Sequence, residues 1–161
     1  KETITMASAW GDASAILAAA GIEEDTSYYR EFTGDDEKAV LTVAMRIQEG
    51  WERNDADFFA DTFTDNGSLL MKDEQLTSRE QIREYMKAGF EGPFRGARVR
   101  GWPLAVRFLD DTTAMIISQG GILLEGETET APERQVRVTW IVVQTGDGLR
   151  LLSHQTSPLK G

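Results

Sequence analysis

His154 is the only histidine in the chain, and therefore the only side chain whose unperturbed pKa lies near neutral pH. It can serve as a general base or as a polar group at the open end of a ligand pocket, or it can be an exposed or backbone-bonded strand residue. In a strand, alternate residues share a face, so His154 would lie on the side of Arg150 and Leu152. Its neighbour Gln155 would lie on the side of Leu151, and this second set is the more apolar. His154 is the candidate catalytic residue, and the face it occupies stays open.

A second group of candidate residues is aromatic or apolar. Aromatic walls suit planar or polyene ligands, although the same side chains also serve to fill a core. Trp102, beside Pro103, can equally line a pocket or form a dimer contact, where large aromatic residues are common. The residues spaced as expected for an interior face are Trp51, Phe63, Tyr85, Met86 and Trp140.

The carboxylates do not form a catalytic or metal-binding pattern. Asp55 and Asp57 stand where a helix is predicted to begin, so capping and the helix dipole explain them without catalysis. With one histidine and no cysteine, only carboxylates remain as metal ligands, and no spaced cluster of them resembles a metal site. No glycine-rich phosphate loop follows a strand. We therefore expect neither a metal ion nor a nucleotide cofactor.

Composition is that of one globular domain. The 161 residues are 40% hydrophobic and 27% charged, which is typical of a globular protein. A chain of this length can bury a single core. Seventeen basic residues against 27 acidic ones give a net charge of −10, which repels nucleic acid and anionic lipid. The most apolar run, 15–20, is too short to span a bilayer, and the lack of cysteine gives no sign of an oxidising compartment. We expect a cytoplasmic protein without nucleic-acid or membrane partners.

Helical signals dominate the first half of the chain. A short helix is predicted from Asp12, a suitable N-cap, to Ala20, with Gly21 at its end. A long amphipathic helix is predicted over 35–52. Its stripe consists of Val40, Val43, Ala44, Ile47 and Trp51.

Two shorter helices should follow. Asn54 can cap a second helix that carries Phe58, Phe59 and Phe63 and ends near Thr64. A turn at 65–67 then leads into a short strand, 68–71. Thr77 and Glu80 match a capping box and open a third helix, which Gly92 and Pro93 stop. Its apolar face carries Ile82, Tyr85 and Met86.

Strand signals occupy the second half. Four segments of β type are predicted at 97–108, 112–124, 134–144 and 149–157. The turns between them are short, which implies antiparallel hairpins. The pair Gly120 and Gly121 indicates a bulge or sharp bend that would curl the sheet. Helices followed by a curved antiparallel sheet make an α+β fold with helices on one sheet face.

This order of elements, together with three local strings, resembles the NTF2-like superfamily in its SnoaL and ketosteroid-isomerase-like branch. The strings lie at 50–63, 78–86 and 154–156, and the likeness covers roughly 36–158. The nearest likeness is to the SgcJ/EcaC-type group, which is associated with enediyne antibiotic clusters. The resemblance implies a cystatin-like cone in which three helices pack on a curved antiparallel sheet and enclose a pocket. Residues 1–34 would then be an N-terminal extension with a short helix, and 35–161 the NTF2-like domain.

The resemblance does not extend to steroid-isomerase chemistry. In those enzymes a carboxylate base, a Tyr and a protonated Asp act together, and the matching positions here are Met71, Ile47 and either Thr139 or Trp140. None carries the required group. The candidate ligand-binding residues are Ile47, Trp51, Phe63, Met71, Tyr85, Met86, Ser118, Trp140 and Gln155.

Two functions remain open. The first is a cofactor-independent biosynthetic protein that acts on a polyketide or enediyne-type intermediate. The second is a carrier or sequestration protein with the same pocket, which the missing base at Met71 favours. A polar cluster of His154, Gln155, Ser118 or Tyr85 inside the pocket would favour catalysis. In either case we predict a hydrophobic or aromatic small molecule as ligand and a homodimer formed through the outer face of the sheet.

Overall fold

Helices come first along the chain and long strands last in the computed structural model, which describes residues 9–159. Residues 1–8 of the predicted extension, and residues 160–161, lie outside the described part. Short 3-10 turns occur at Thr26–Tyr29 and Pro132–Arg134. The helices are α1 Ala13–Ala19, α2 Asp35–Arg53, α3 Ala56–Asp61 and α4 Arg79–Glu91; the strands are β1 Phe63–Met71, β2 Glu74–Leu76, β3 Arg98–Phe108, β4 Thr113–Leu123, β5 Gln135–Thr145 and β6 Gly148–Pro158.

The six strands form one sheet in the order β2-β1-β6-β5-β4-β3. The four long strands predicted from the sequence are present, and each end lies within one residue of its predicted position. They pair antiparallel as expected, but β1 runs parallel to β6. The prediction of a purely antiparallel sheet is therefore wrong. The physical reason is that α4 and the other strands separate β1 from β6 along the chain. Only a short hairpin requires neighbouring strands to be antiparallel, so this pair can be parallel.

The helices cover one face of the sheet and build the core against it. All five apolar stripe residues of α2 are buried. The segment before α2 belongs to the same hydrophobic cluster, in which Leu17 of α1 is fully buried and Tyr28 and Phe32 take part. Hydrophobic burial therefore holds residues 10–32 against the domain. None of the described helices combines the length and hydropathy needed to cross a membrane.

The junction between α2 and α3 differs from the prediction. Asn54 ends α2 in the left-handed conformation, at φ 50° and ψ 43°, and Asp55 caps α3 by accepting a hydrogen bond from the Phe58 N–H at 3.0 Å. Asparagine tolerates that conformation better than most residues. Its side chain also accepts from the Gly96 N–H at 2.7 Å, which ties the end of α2 to the segment before β3. Phe63 consequently begins β1 and does not extend α3.

The cap of α4 lies one residue later than predicted. The Ser78 hydroxyl accepts from the Gln81 N–H at 3.1 Å, and the Gln81 side chain accepts from the Thr77 N–H at 2.9 Å. The pattern of a hydroxyl followed three residues later by a long polar side chain occurs twice here, in overlapping registers. Only the pair Ser78 and Gln81 has its hydroxyl at the N-cap and its long side chain in the first turn of α4.

The bulges of the sheet are not at the glycine pair. Gly120 and Gly121 stay in register with both neighbouring strands, so of the two predicted alternatives, a bulge or a sharp bend, the bulge is absent there. Register shifts occur instead between Pro103 and Ala105 in β3 and at Leu152 in β6. Such bulges bend a strand and increase its twist, and they allow the sheet to curve around a cavity.

Candidate functional site

A cavity of about 710 Å³ lies between the helices and the inner face of the curved sheet. Its apolar wall includes Ile47 of α2, Leu69 of β1 and Val138 of β5. The lining residues that are exposed mark its mouth: Lys72, Pro93, Arg100, Glu133 and Pro158. The volume lies within the range of pockets that hold small organic molecules.

An aromatic cluster forms the helical side of the cavity. Trp51, near the end of α2, is 3% exposed and lines the cavity together with Phe59 and Phe94. The Trp51 ring meets Phe59, Phe90 and Phe94 edge to face, with centroid distances of 6.2, 5.4 and 5.2 Å. This arrangement is favourable for aromatic rings and fixes the indole in one orientation. Trp51 therefore belongs both to the core and to the cavity wall.

Three polar groups meet on the sheet side of the cavity. The Trp140 indole N–H donates to the Ser118 hydroxyl at 2.7 Å, and this bond is buried. The Trp140 and His154 rings contact each other with centroids 4.4 Å apart and planes at 67°. The three residues lie on adjacent strands β4, β5 and β6, and Trp140 and His154 are direct cross-strand partners. Side chains paired in this way across a sheet stabilise one another and hold each other in place.

The bulge at Leu152 decides which way His154 points. Leu151 pairs with Val142 and Ser153 pairs with Ile141, so Leu152 is an extra residue without a partner in β5. The extra residue shifts the alternation by one position, and a bulge can re-aim a side chain in this way. Simple alternation from the start of β6 would place His154 opposite to the buried Leu151, and that interpretation is wrong. His154 lines the cavity.

The same shift moves Gln155 to the outer face. Its amide donates to the Ser68 hydroxyl at 3.0 Å and to the Ser153 hydroxyl at 3.2 Å, and Ser68 also accepts from the Gln75 side chain at 2.8 Å. Gln155 is not among the lining residues of the cavity. Its predicted place in the pocket is therefore corrected to a polar cluster on the other side of the sheet.

Burial lowers the pKa of His154 to about 4. The ring is therefore neutral at neutral pH. Nδ1 is enclosed and has no hydrogen-bond partner within residues 9–159. Nε2 is neither enclosed nor bonded to a described residue, so this nitrogen is free to meet a ligand. A neutral imidazole offers one donor and one acceptor, and its tautomer would follow the group that it meets.

Six of the ten predicted site residues line the cavity, and four lie elsewhere. Phe63 and Met86 are fully buried in the core, and Tyr85 is half-buried on α4. Tyr85 and Met86 do not line the cavity because α4 packs against α3 and β1. Phe63 is the first residue of β1 and is buried in the core. Trp102 is not a lining residue either; its ring lies 5.4 Å from the Arg30 guanidinium. The six lining residues are Ile47, Trp51, Met71, Ser118, Trp140 and His154.

Several lining residues carry no sequence signal that points to a site. Phe94 follows the Gly92-Pro93 stop in a loop, where no periodicity applies. Tyr28 belongs to the irregular segment before α2. Thr156 does lie in the string that carries the resemblance, and the bulge brings it to the inner face beside His154.

Within residues 9–159, no three His, Cys, Asp or Glu side chains come together in a way that could hold a metal ion. The cavity lining contains two basic residues at the mouth, Lys72 and Arg100, for which no ion pair is formed with a described residue. Lys72 instead lies 6.0 Å from the centre of the Phe94 ring. The cavity can therefore offer a ligand apolar contact, hydrogen bonds at Ser118 and His154, and an entrance that carries charged side chains of both signs: Lys72, Arg100 and Glu133.

Known proteins share this architecture. Residues 40–160 match the family model described as a SnoaL-like domain. A domain of unknown function with a cystatin-like fold from Nostoc punctiforme superposes with a TM-score of 0.72 at 22% identity, covering 80% of each chain. An NTF2-like protein of unknown function from Shewanella oneidensis gives 0.61 at 12% identity, covering 73% of this chain and 95% of that one. Aln2 from a Streptomyces species gives 0.60 at 22% identity, covering 74% and 87%.

No curated protein matches the chain significantly. The comparisons confirm the predicted cystatin-like, NTF2-like fold: helices pack on one curved, open sheet, which is mixed where an antiparallel one was expected. The narrower likeness to the SgcJ/EcaC-type group stays a prediction.

Proposed function

This chain belongs to the SnoaL-like domain family, and on that premise we propose that it binds a hydrophobic or aromatic small molecule in the cavity between the helices and the sheet. The observation that carries the proposal is the cavity itself. It measures about 710 Å³, its walls are apolar and aromatic, and its polar groups gather at one place on the sheet. Apolar walls with a few fixed polar groups are typical of sites that bind and orient a ligand.

The proposed ligand is a conjugated molecule of the polyketide or enediyne type. The aromatic cluster around Trp51 supports this, because flat, rigid rings stack well on conjugated surfaces. A carbonyl or hydroxyl on the ligand would hydrogen-bond to Nε2 of His154, which lines the cavity. The sequence resemblance to proteins of enediyne antibiotic clusters supports the same class of ligand and a role in antibiotic biosynthesis. The lack of cysteine in the sequence supports a cytoplasmic location.

We favour binding without chemical transformation. No carboxylate base stands at Met71, and the lowered pKa of His154 makes its ring a weak base at neutral pH. A carrier or sequestration role needs neither group. Catalysis of a proton transfer by His154 is the second candidate, and the convergence of Ser118, Trp140 and His154 on one wall supports it.

Native mass spectrometry of protein purified from its producing organism tests the proposal most directly. We expect a retained metabolite, and its mass should stay constant during incubation if the protein is a carrier. A mass that changes with the native chain, but not with a His154→Ala variant, would favour catalysis. Titration with the neutral fluorescent probe N-phenyl-1-naphthylamine should show saturable binding. The proposal fails if neither a metabolite nor saturable probe binding is found.

A further inference from the structure

A second cavity, of about 500 Å³, lies between α1, α2 and the turn that joins β5 to β6. Its wall includes the apolar residues Trp10, Ile16 and Leu149. It shares no lining residue with the larger cavity. A molecule in it would therefore contact none of the residues that line the larger cavity.

Two arginines converge in the wall of this second cavity. Arg46 of α2 donates from Nη1 to the Leu149 carbonyl at 2.8 Å, and Arg150 of β6 donates from Nη1 to the same oxygen at 3.1 Å. Because both bonds end on one oxygen, the two nitrogens are at most about 6 Å apart. Like charges at that distance repel each other, and the repulsion grows as water is excluded.

The described carboxylates leave the two arginines without a direct counter-charge. Neither Arg46 nor Arg150 forms an ion pair with any residue in the described range. Asp61 attracts Arg46, but its carboxylate is bonded to Arg83 at 2.8 Å. Asp147 lines the same cavity from the exposed turn and is not paired with either arginine. Within residues 9–159, the two guanidinium groups line a largely apolar cavity, and each has a hydrogen bond only to the Leu149 carbonyl.

We propose that the second cavity binds an organic carboxylate, with its charge between Arg46 and Arg150 and its hydrocarbon part against Trp10 and Ile16. A guanidinium matches a carboxylate with two parallel hydrogen bonds. An anion would also remove the cost of keeping two partly buried cations side by side. The apolar wall favours an organic anion over a bare inorganic one, because it offers hydrocarbon contact and few further hydrogen bonds.

The pKa of Arg46 agrees with a cationic site that lacks a directly bound anion. Burial, followed by the nearby Arg150, lowers the pKa of Arg46 to about 10, while Asp61 raises it. Arg46 is still charged at neutral pH, and a bound carboxylate would raise its pKa again.

Benzoate is the probe for the test, with inorganic phosphate as the comparison, in calorimetric titrations and thermal unfolding of the whole chain. We expect saturable benzoate binding that raises the melting temperature. Arg46→Gln and Arg150→Gln should each weaken it about tenfold or more, which corresponds to the loss of one charged hydrogen-bonded partner. Arg46→Lys should weaken benzoate binding too, because lysine keeps the charge but cannot make two parallel hydrogen bonds to one carboxylate.

Arg107→Gln is the matched control. Arg107 donates from Nη1 to the preceding carbonyl at 3.1 Å, as Arg150 does, but it lies on the exposed part of β3 and lines neither cavity. Its replacement should leave benzoate binding unchanged. If Arg46→Gln does not fold, Arg150→Gln still decides the question. The proposal is overturned if the native chain shows no saturable benzoate binding, if both glutamine variants bind like the native chain, or if phosphate binds and benzoate does not.

Discussion

His154 is a polar ring in an apolar wall. Burial there disfavours its protonated form, and this effect can be measured as a pH dependence of stability. The folded protein lowers the pKa of His154 to about 4, whereas its ordinary value is 6.5. Between these values the unfolded chain binds a proton that the folded chain does not, so the free energy of unfolding falls as the pH is lowered. Above both values the group makes no difference to the pH dependence.

We therefore predict that the native chain loses stability between pH 7 and pH 4.5 beyond what its carboxylates explain. The difference due to His154 should approach about 2 to 3 kcal/mol at the acid end. A His154→Gln variant should lose this extra part and show a flatter curve. Urea unfolding at several pH values measures both. Parallel curves for the two chains would show that the imidazole is not shielded as described.

Trp51 serves the core and the cavity wall at once, so its replacement should affect both. Trp51→Phe keeps much of the apolar volume and removes part of the edge-to-face contacts with Phe59, Phe90 and Phe94. We predict a loss of about 1 kcal/mol in stability and about fivefold weaker binding of N-phenyl-1-naphthylamine. Trp102→Phe, at a residue outside the cavity lining, is the control and should leave probe binding unchanged. A lower melting temperature with unchanged probe affinity would limit Trp51 to the core.

At the scale of elements, Gly120 of β4 controls how closely β3 and β4 can approach each other. A Cβ at Gly120 would lie 2.1 Å from the Arg100 carbonyl oxygen of β3, and the residue opposite is Gly101. No side chain fits at that distance unless the backbone moves. Gly120 and Gly101 thus permit a local close approach of β3 and β4, and neither strand is bulged at this pair.

Gly120→Ala should accordingly destabilise the protein by about 2 kcal/mol or more, because a backbone atom and not a flexible side chain has to move. Gly146→Ala in the turn before β6 is the matched control, since a Cβ there meets no atom within 4 Å. It should change the stability by less than about 0.5 kcal/mol. Thermal unfolding of the two variants measures the contrast. Equal effects would mean that the β3 and β4 backbones are not in close contact.

Periodicity predicted those elements whose pattern runs long enough to be counted. The 19 residues of α2 and the four long strands fall within this class. The errors lie where one residue decides between two states: Asn54 caps the end of α2 and not the start of α3, and Leu152 adds one residue to β6. The second case changed the predicted site, since the face of every later residue in β6 depends on that one insertion.

The same holds for the candidate site: the residues predicted correctly lie on long elements with a regular pattern. Ile47 and Trp51 follow from the stripe of α2, and Trp140 follows from alternation in β5. Tyr85 and Met86 also lie on an apolar stripe, but α4 turns that stripe toward α3 and β1. A stripe in the sequence shows that a face is buried; which surface buries it depends on the arrangement of the elements in space.

The whole molecule places its helices and its larger cavity on one side of the sheet, and the opposite sheet face has no described helix over it. Ser118 and the fully buried Ile116 point to the cavity side, so their neighbours Met115 and Ile117 point to the outer face. Ile141, the cross-strand partner of Met115, lies there too. These outer side chains are only half-buried in the single chain. A row of β-branched and other apolar side chains in this position is suited to an interface.

We predict that the protein forms a homodimer through this outer face, as the sequence resemblance implies. Ile117→Lys would bury a charge at the centre of such an interface, and should shift sedimentation from dimer to monomer at micromolar concentration. The same change should leave the fold of the single chain intact, because a lysine on an uncovered sheet face stays in water. Glu84→Lys, on the exposed side of α4, is the control and should remain dimeric. A native chain that sediments as a monomer throughout the micromolar range, or an Ile117→Lys chain that remains a dimer, would remove this face from the interface.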